Sequence, residues 1–133
     1  KNIIYEEIEK YRDLFKNSTE GLIQKWPKKY KLYGWLVAMK TGGKLSAHMH
    51  ETGWISGSIY INVPQKNNKN DGNIVFSIEE EQFLTAGQKS PEKIVDVNTG
   101  SICLFPSSLL HHTIPFDSEE ERIVFAFDLQ PDE

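Results

Sequence analysis

The chain has 133 residues, 38% of them hydrophobic and 26% charged, with a formal net charge of -4 and a pI near 5.6. That length supports one sizeable core and predicts a single domain, residues 1 to 133, while the acidic balance excludes a nucleic-acid partner held by counterion release, which needs a concentrated basic face. One cysteine permits no internal disulfide, and without an apolar leader or an apolar run of about 18 residues the chain reads as soluble, cytoplasmic and without a membrane partner.

Residues 3 to 16 put Ile4, Ile8, Tyr11 and Phe15 at helical spacing, with Glu6, Glu7, Glu9, Lys10 and Arg12 between them. This pattern predicts an amphipathic helix that covers a sheet. Asn17-Ser18 closes it, a short turn or helix follows around Thr19 to Lys25, and Pro27 marks the break before the first strand. The cluster Lys25, Lys28, Lys29 and Lys31 reads as a solvated turn. Residues 1 to 29 are therefore expected to form a helical extension and residues 30 to 131 a β core.

From Tyr30 onward the β signals are Leu32 to Met39, Ser46 to His50, Ile55 to Val63, Asn73 to Ile78, Lys93 to Val97, Ser101 to Phe105, His111 to Pro115 and Arg122 to Leu129. Thr41-Gly42-Gly43, Asn67 to Gly72, Asn98-Thr99-Gly100 and Asp117-Ser118 punctuate them. Seven or eight short strands at such spacing predict a mainly β sandwich or jelly roll. There is no internal repeat, and the polar tract Gln65 to Asp71 is a loop with no assigned chemistry. In Ser56 to Val63, Ser56, Ser58, Tyr60 and Asn62 alternate with Ile59, Ile61 and Val63, so the polar face is expected to line the pocket. In Arg122 to Leu129, Ile123, Phe125, Phe127 and Leu129 form an apolar face, while Val124 and Ala126 share the face of Arg122 and leave room for a small ligand. Ser56, Ser58, Asn62 and Trp54 are candidate pocket residues, Trp54 being equally a core or lid residue.

The four histidines fall in two clusters, His48-Met49-His50 and His111-His112, and Arg122 stands eleven positions beyond His111. Alternate residues of a strand share a face, so His48 and His50 can reach one metal. His111, from a distant strand, completes a facial set that leaves positions open for substrate and dioxygen. Imidazole suits iron, copper, nickel and zinc, so ligand type alone does not choose the metal. Glu51 points to the opposite face of a regular strand. His111 and His112 cannot both face inward, and the spacing to Arg122 favours His111. A buried Arg122 requires an anionic partner, which a dicarboxylic co-substrate supplies through a bidentate pair. The alternative is a surface pair with the Glu119-Glu120-Glu121 cluster. Cys103, inside Ser-Ile-Cys-Leu-Phe, reads as a small core residue.

His48-x-His50, Gly53-Trp54-Ile55-Ser56-Gly57-Ser58-Ile59-Tyr60, Asp71-Gly72-Asn73-Ile74-Val75-Phe76, the run Gly100 to Ser108, His111 and the run Arg122 to Asp128 together carry a family likeness. Over about residues 30 to 131 the chain resembles the 2-oxoglutarate/Fe(II) oxygenases related to prolyl 4-hydroxylases. The resemblance implies a double-stranded β-helix, Fe(II), 2-oxoglutarate as co-substrate and O2. It matches His111 and Arg122 to the superfamily's His-x10-Arg pattern, and places Tyr60 where relatives use a tyrosine on the same distal carboxylate. His50 departs from it, standing where most of the superfamily has Asp or Glu. The expected function is a dioxygenase that hydroxylates a C–H bond of a small-molecule or peptide substrate, with His48, His50 and His111 as metal ligands and Arg122 and Tyr60 binding 2-oxoglutarate. The alternatives are a three-His cupin-type metalloenzyme that does not use 2-oxoglutarate and a non-catalytic, ligand-binding jelly roll.

Overall fold

The apolar stripe of the N-terminal segment meets the requirement for a surface helix, and α1 forms over Asn2–Leu14. The computed structural model describes residues 2–42, 52–77 and 91–132. Ile4 and Ile8, one turn apart, share a face and are buried, Ile8 completely at 0% exposure. The predicted stripe ends early. Phe15 lies past the last helical residue, is half-exposed and stacks on Tyr11 with ring centroids 4.9 Å apart. The ion pairs Lys10–Glu7, Arg12–Glu9 and Lys16–Asp13 lie on the solvent side of this segment and contribute little individually. A one-turn α2 (Gly21–Gln24) follows, and Leu22 and Ile23 pack into the same layer.

Seven strands are described: β1 (Tyr30–Met39), β2 (Ile55–Asn62), β3 (Ile74–Ser77), β4 (Glu92–Val95), β5 (Ile102–Pro106), β6 (Leu110–Thr113) and β7 (Arg122–Pro131). They coincide with seven of the eight expected segments, with ends displaced by a few residues. The eighth, Ser46 to His50, lies outside the described residues. All pairings are antiparallel, in one sheet of order β1-β7-β2-β5 and another of order β4-β3-β6. Among the described strands the last, β7, runs between β1 and β2, so the first and last of them pair in one sheet, and the mainly β jelly-roll architecture with a helix packed on its sheet is the observed one. No described helix is long and apolar enough to cross a membrane.

The four-stranded sheet is the middle layer and has two different faces. Toward the helices, Ile55, Phe127 and Leu129 join Ile4, Ile8 and Trp26 in one core, with Ile59, Ile102, Leu104 and Phe125 packed against it. Toward the three-stranded sheet, Tyr60, Val124 and Phe105 meet Ile74, Phe76 and Val97 in a second core. The alternation of β7, and of β2 as far as Tyr60, thus divides the layers as the period-two pattern requires. Past the register shift after Tyr60 the expected core face fails, with Ile61 exposed and Val63 packed against the inter-sheet core. Trp54 belongs to the helix side, donating its indole N–H to Leu22 O at 2.9 Å. Cys103 packs against the inter-sheet core, and burial pushes its thiol up to about 11.

Gly57 is a tight point of the middle sheet. It stands opposite Phe127 in the β2–β7 register. A Cβ there would lie 2.4 Å from the Phe127 ring and 2.8 Å from the backbone oxygen of Cys103. The ring occupies the space that a side chain would take, and the backbone oxygen is fixed by the ladder. Gly57→Ala is therefore expected to lower stability by about 1–3 kcal/mol, read from the midpoint of urea unfolding. Gly21→Ala is the comparison, since a Cβ there meets nothing within 4 Å at the start of α2. It should be neutral or stabilising by up to about 1 kcal/mol; equal losses at both glycines would contradict this packing account.

Candidate functional site

The cleft between the two sheets is where their inward faces stop matching. Large side chains fill one part of the inter-sheet space, whereas Ser56, Ser58, Val124 and Ala126 are too small to close the other. The resulting cleft spans ≈ 520 Å³ of non-protein space, its solvent-open mouth included. Trp35 and Val37 of β1, Ser56, Ser58 and Tyr60 of β2, and Arg122, Val124 and Ala126 of β7 line it from the larger sheet. Ile74, His111 and Thr113 do so from the smaller one.

His111 arrives by register. In the β3–β6 pair it stands opposite Phe76, and Thr113 opposite Ile74, so His111 and Thr113 share the inward face with the core residues of β3. His112, opposite Val75, projects to the other face and does not line the cleft. The His111 ring is wedged beside Phe105 and Phe76, at centroid distances of 4.7 and 6.2 Å. Its Nδ1 lies 3.1 Å from Leu109 O. A carbonyl can only accept, so in the neutral ring Nδ1 carries the proton and Nε2 is the nitrogen able to bind a metal.

Arg122 opens β7 opposite Met39 and is buried at 3% exposure. Its Nε donates to Gly72 O at 3.1 Å, and its guanidinium carbon lies 5.3 Å from the centre of the Tyr60 ring. No described carboxylate forms an ion pair with it, and Glu119, Glu120 and Glu121 stay exposed, so the expected surface-pair alternative is not the observed arrangement. Burial lowers the guanidinium pKa, and Tyr60 partly opposes the shift. Tyr60 itself is 1% exposed, and no described group meets its hydroxyl at full hydrogen-bond geometry, although Ser58 and Arg122 stand close enough to favour its ionised form. Burial pushes the phenol up to about 12, with the Cys103 thiol adding to the rise and Arg122 and Ser58 opposing it.

A buried cation without a described carboxylate partner, beside a buried hydroxyl that no described group fully satisfies, is the surrounding that an organic carboxylate needs. Arg122, Tyr60 and His111 line this one cleft. His48 and His50 lie outside the described residues, and among the described residues no three His, Cys, Asp or Glu side chains converge on a metal position. Of the further pocket candidates, Ser56 and Ser58 line the cleft. Asn62 instead donates to Glu121 O at 2.8 Å beyond a register shift in β2, and Trp54 faces the helices.

Several residues of the site escaped the sequence reading. Asp128, which accepts from the expected pocket residue Ser56 at 2.6 Å, and Ser107, whose hydroxyl lies 2.8 Å from that of Ser56, form with it a buried polar cluster at the β2–β5–β7 junction. Gly72, read as turn punctuation and as part of the motif Asp71 to Phe76 but given no role, supplies the carbonyl on Arg122. Trp35 and Val37 are cleft residues with no signal beyond strand alternation.

The sequence profile of the family described as "Putative 2OG-Fe(II) oxygenase" matches residues 33–128. Among solved structures, a prolyl-4-hydroxylase from Pseudomonas putida is similar at a TM-score of 0.55 and 17% identity, over 77% of this chain and 52% of that one. The chain thus spans about half the length of that protein, and at this identity the likeness concerns the fold. No curated protein matches the sequence significantly. The match across most of the β core, on a fold shared with a prolyl-4-hydroxylase, shows that this chain belongs to the 2-oxoglutarate/Fe(II) oxygenase family.

Proposed function

We propose that the protein is a dioxygenase that uses Fe(II), 2-oxoglutarate and O2 to hydroxylate a C–H bond of a small-molecule or peptide substrate. The observation that carries this reading is the buried Arg122, held at Nε by Gly72 O and without a described carboxylate partner, beside the buried Tyr60 hydroxyl in the cleft that His111 also lines. Family membership implies Fe(II) and 2-oxoglutarate in general terms, and the described residues fit both. His111 would hold the metal through Nε2 while Leu109 O fixes its tautomer. His48 and His50 are the proposed remaining ligands. When bound, Fe(II) and 2-oxoglutarate supply the activation of dioxygen, with decarboxylation of the co-substrate accompanying oxidation of the substrate.

The chain's own residues account for binding and orientation. Arg122 offers its terminal N–H groups to the far carboxylate of 2-oxoglutarate as a planar fork, a geometry that a lysine does not reproduce. Tyr60 donates one further hydrogen bond from a phenol that stays protonated throughout the physiological range. Val124 and Ala126 leave the space the co-substrate chain requires. Phe76 and Phe105 beside His111 exclude water on that side of the ring.

His111→Ala is expected to abolish tight Fe(II) binding while leaving a folded protein, and His112→Ala to retain it, as measured by metal content after reconstitution. Full iron occupancy in His111→Ala would remove it from the ligand set. Arg122→Ala should weaken 2-oxoglutarate by roughly ten- to a hundredfold, with iron affinity little changed. The measurement is anaerobic titration of the Fe(II) protein followed by metal-to-ligand charge-transfer absorbance. A wild-type protein without that band would favour the three-His or non-catalytic alternatives.

A prediction about pH follows from Tyr60. The folded phenol titrates near 12 against an ordinary value of 10.0, so the folded state holds its proton where the unfolded chain has lost it. This linkage leaves stability untouched below pH 10 and erodes it as pH rises from there toward 12. Unfolding midpoints of wild type should fall more steeply across that window than those of Tyr60→Phe. Parallel curves would show that the phenol is not protected by burial.

A further inference from the structure

The tract between β2 and β3, Gln65 to Asp71, is rich in Asn and Lys and shows no chemistry in sequence. In the structure its continuation to Asn73 is a built frame. Asp71 N donates to Asn68 O and Asn68 N to Asp71 Oδ2, each at 3.1 Å, and Asn73 N donates to Asn70 O at 3.1 Å, so two turns overlap. Asn73 is 1% exposed and holds the frame to its neighbours. Its Oδ1 accepts from Val97 N at 3.1 Å and from Lys66 Nζ at 2.5 Å, and Lys66 also reaches Asp96. On the other side, Gly72 N donates to Ile114 O at 3.0 Å and Ile114 N to Asn73 O at 2.9 Å.

Between these fixed points stands Gly72, with φ +72, the left-handed conformation that side-chain-bearing residues rarely adopt. Its carbonyl accepts from Arg122 Nε. A guanidinium offers a carboxylate two matching edges, one made by the two terminal nitrogens and one that includes Nε. With Nε occupied by a carbonyl that the frame holds still, only the terminal edge remains. We infer that Gly72 is a positioning residue, held by the Asn73 frame, that commits Arg122 to receive the far carboxylate of the co-substrate through its Nη1 and Nη2 groups. This inference rests on the 2-oxoglutarate reading of the cleft and gives the otherwise unassigned loop a part in it.

The test compares two glycines. Gly72 and Gly100 both have positive φ, so alanine strains the backbone at either position. A Cβ on Gly72 would make only ordinary contact with Arg122, 3.6 Å from Nε, and one on Gly100 meets nothing within 4 Å. Neither substitution acts by collision. Anaerobic Fe(II) protein is titrated with 2-oxoglutarate and, separately, with 2-oxopentanoate, which keeps the chelating end and lacks the far carboxylate. Gly72→Ala should weaken 2-oxoglutarate about tenfold and leave 2-oxopentanoate unchanged, whereas Gly100→Ala should alter neither. The metal-free protein gives a second readout, because the Arg122 Nε–H should appear in NMR spectra as a slowly exchanging resonance in wild type and Gly100→Ala.

Affinity for 2-oxoglutarate within about twofold of wild type in folded Gly72→Ala overturns the inference. So does an equal loss for both ligands, which would mean general damage to the site. If Gly72→Ala does not fold, the wild-type resonance decides, and fast exchange of the Arg122 Nε–H overturns the tether. A wild-type protein that binds both ligands equally would instead overturn the role of Arg122, whatever Gly72 does.

Discussion

Burial of the Arg122 guanidinium between two apolar sheets carries a desolvation cost that the surroundings must offset, and much of the molecule can be understood from how they do so. One donor is satisfied by the Gly72 carbonyl, and the positive face of the group is placed near the Tyr60 ring. The rest of its hydrogen-bonding capacity has no described carboxylate to meet. A structural arginine is ordinarily paired inside the fold, whereas no described carboxylate stands against the fork of this one. Tyr60 is in a similar condition, as a buried hydroxyl that no described group meets at full hydrogen-bond geometry. The two deficits are adjacent, and one carboxylate would remedy both.

Holding that arrangement open requires the rest of the architecture. The four-stranded sheet is packed on both faces, against the helices on one side and the smaller sheet on the other. Gly57, with the Phe127 ring opposite, lets the larger sheet pack closely on the helix side. On the inner face, small side chains at Ser56, Ser58 and Ala126 leave space that large ones fill elsewhere, so the cleft is a local omission in an otherwise packed sandwich. The hydrogen bond from Ser56 to Asp128 and the adjacent Ser107 hydroxyl tie β2, β5 and β7 together where that packing is thinnest.

Connectivity then brings distant chemistry together. His111 comes from the smaller sheet, Arg122 from the first residue of the last strand, and Tyr60 from the second strand. None of the three is a sequence neighbour of another, and antiparallel register alone turns their side chains into one space. The loop before β3 belongs to the same logic. It lies at one end of the smaller sheet, bonded to Ile114 after β6 on one side and to Val97 after β4 on the other, and from that position its Gly72 carbonyl reaches Arg122 in the larger sheet.

The β character of the core, the amphipathic helix and seven strand positions were legible because alternation and 3.6-residue spacing are local properties of the chain. The same alternation put Tyr60 with Ser56 and Ser58, and Arg122 with Val124 and Ala126, on faces that do line the cleft. The spacing that favoured His111 over His112 has its physical counterpart in the β3–β6 register, which turns only His111 inward. What the sequence could not determine was anything set by contact across the fold. Trp54 and Asn62 carried pocket-like residue types, yet packing on the helices and a register shift at the end of β2 took them elsewhere. The glycine that tethers Arg122 stands fifty positions from it, and nothing local distinguishes its carbonyl from that of any other turn. Residue type and periodicity are written along the chain, whereas hydrogen-bond partners are chosen by which strands lie side by side, and that was decided only when the two sheets closed on each other.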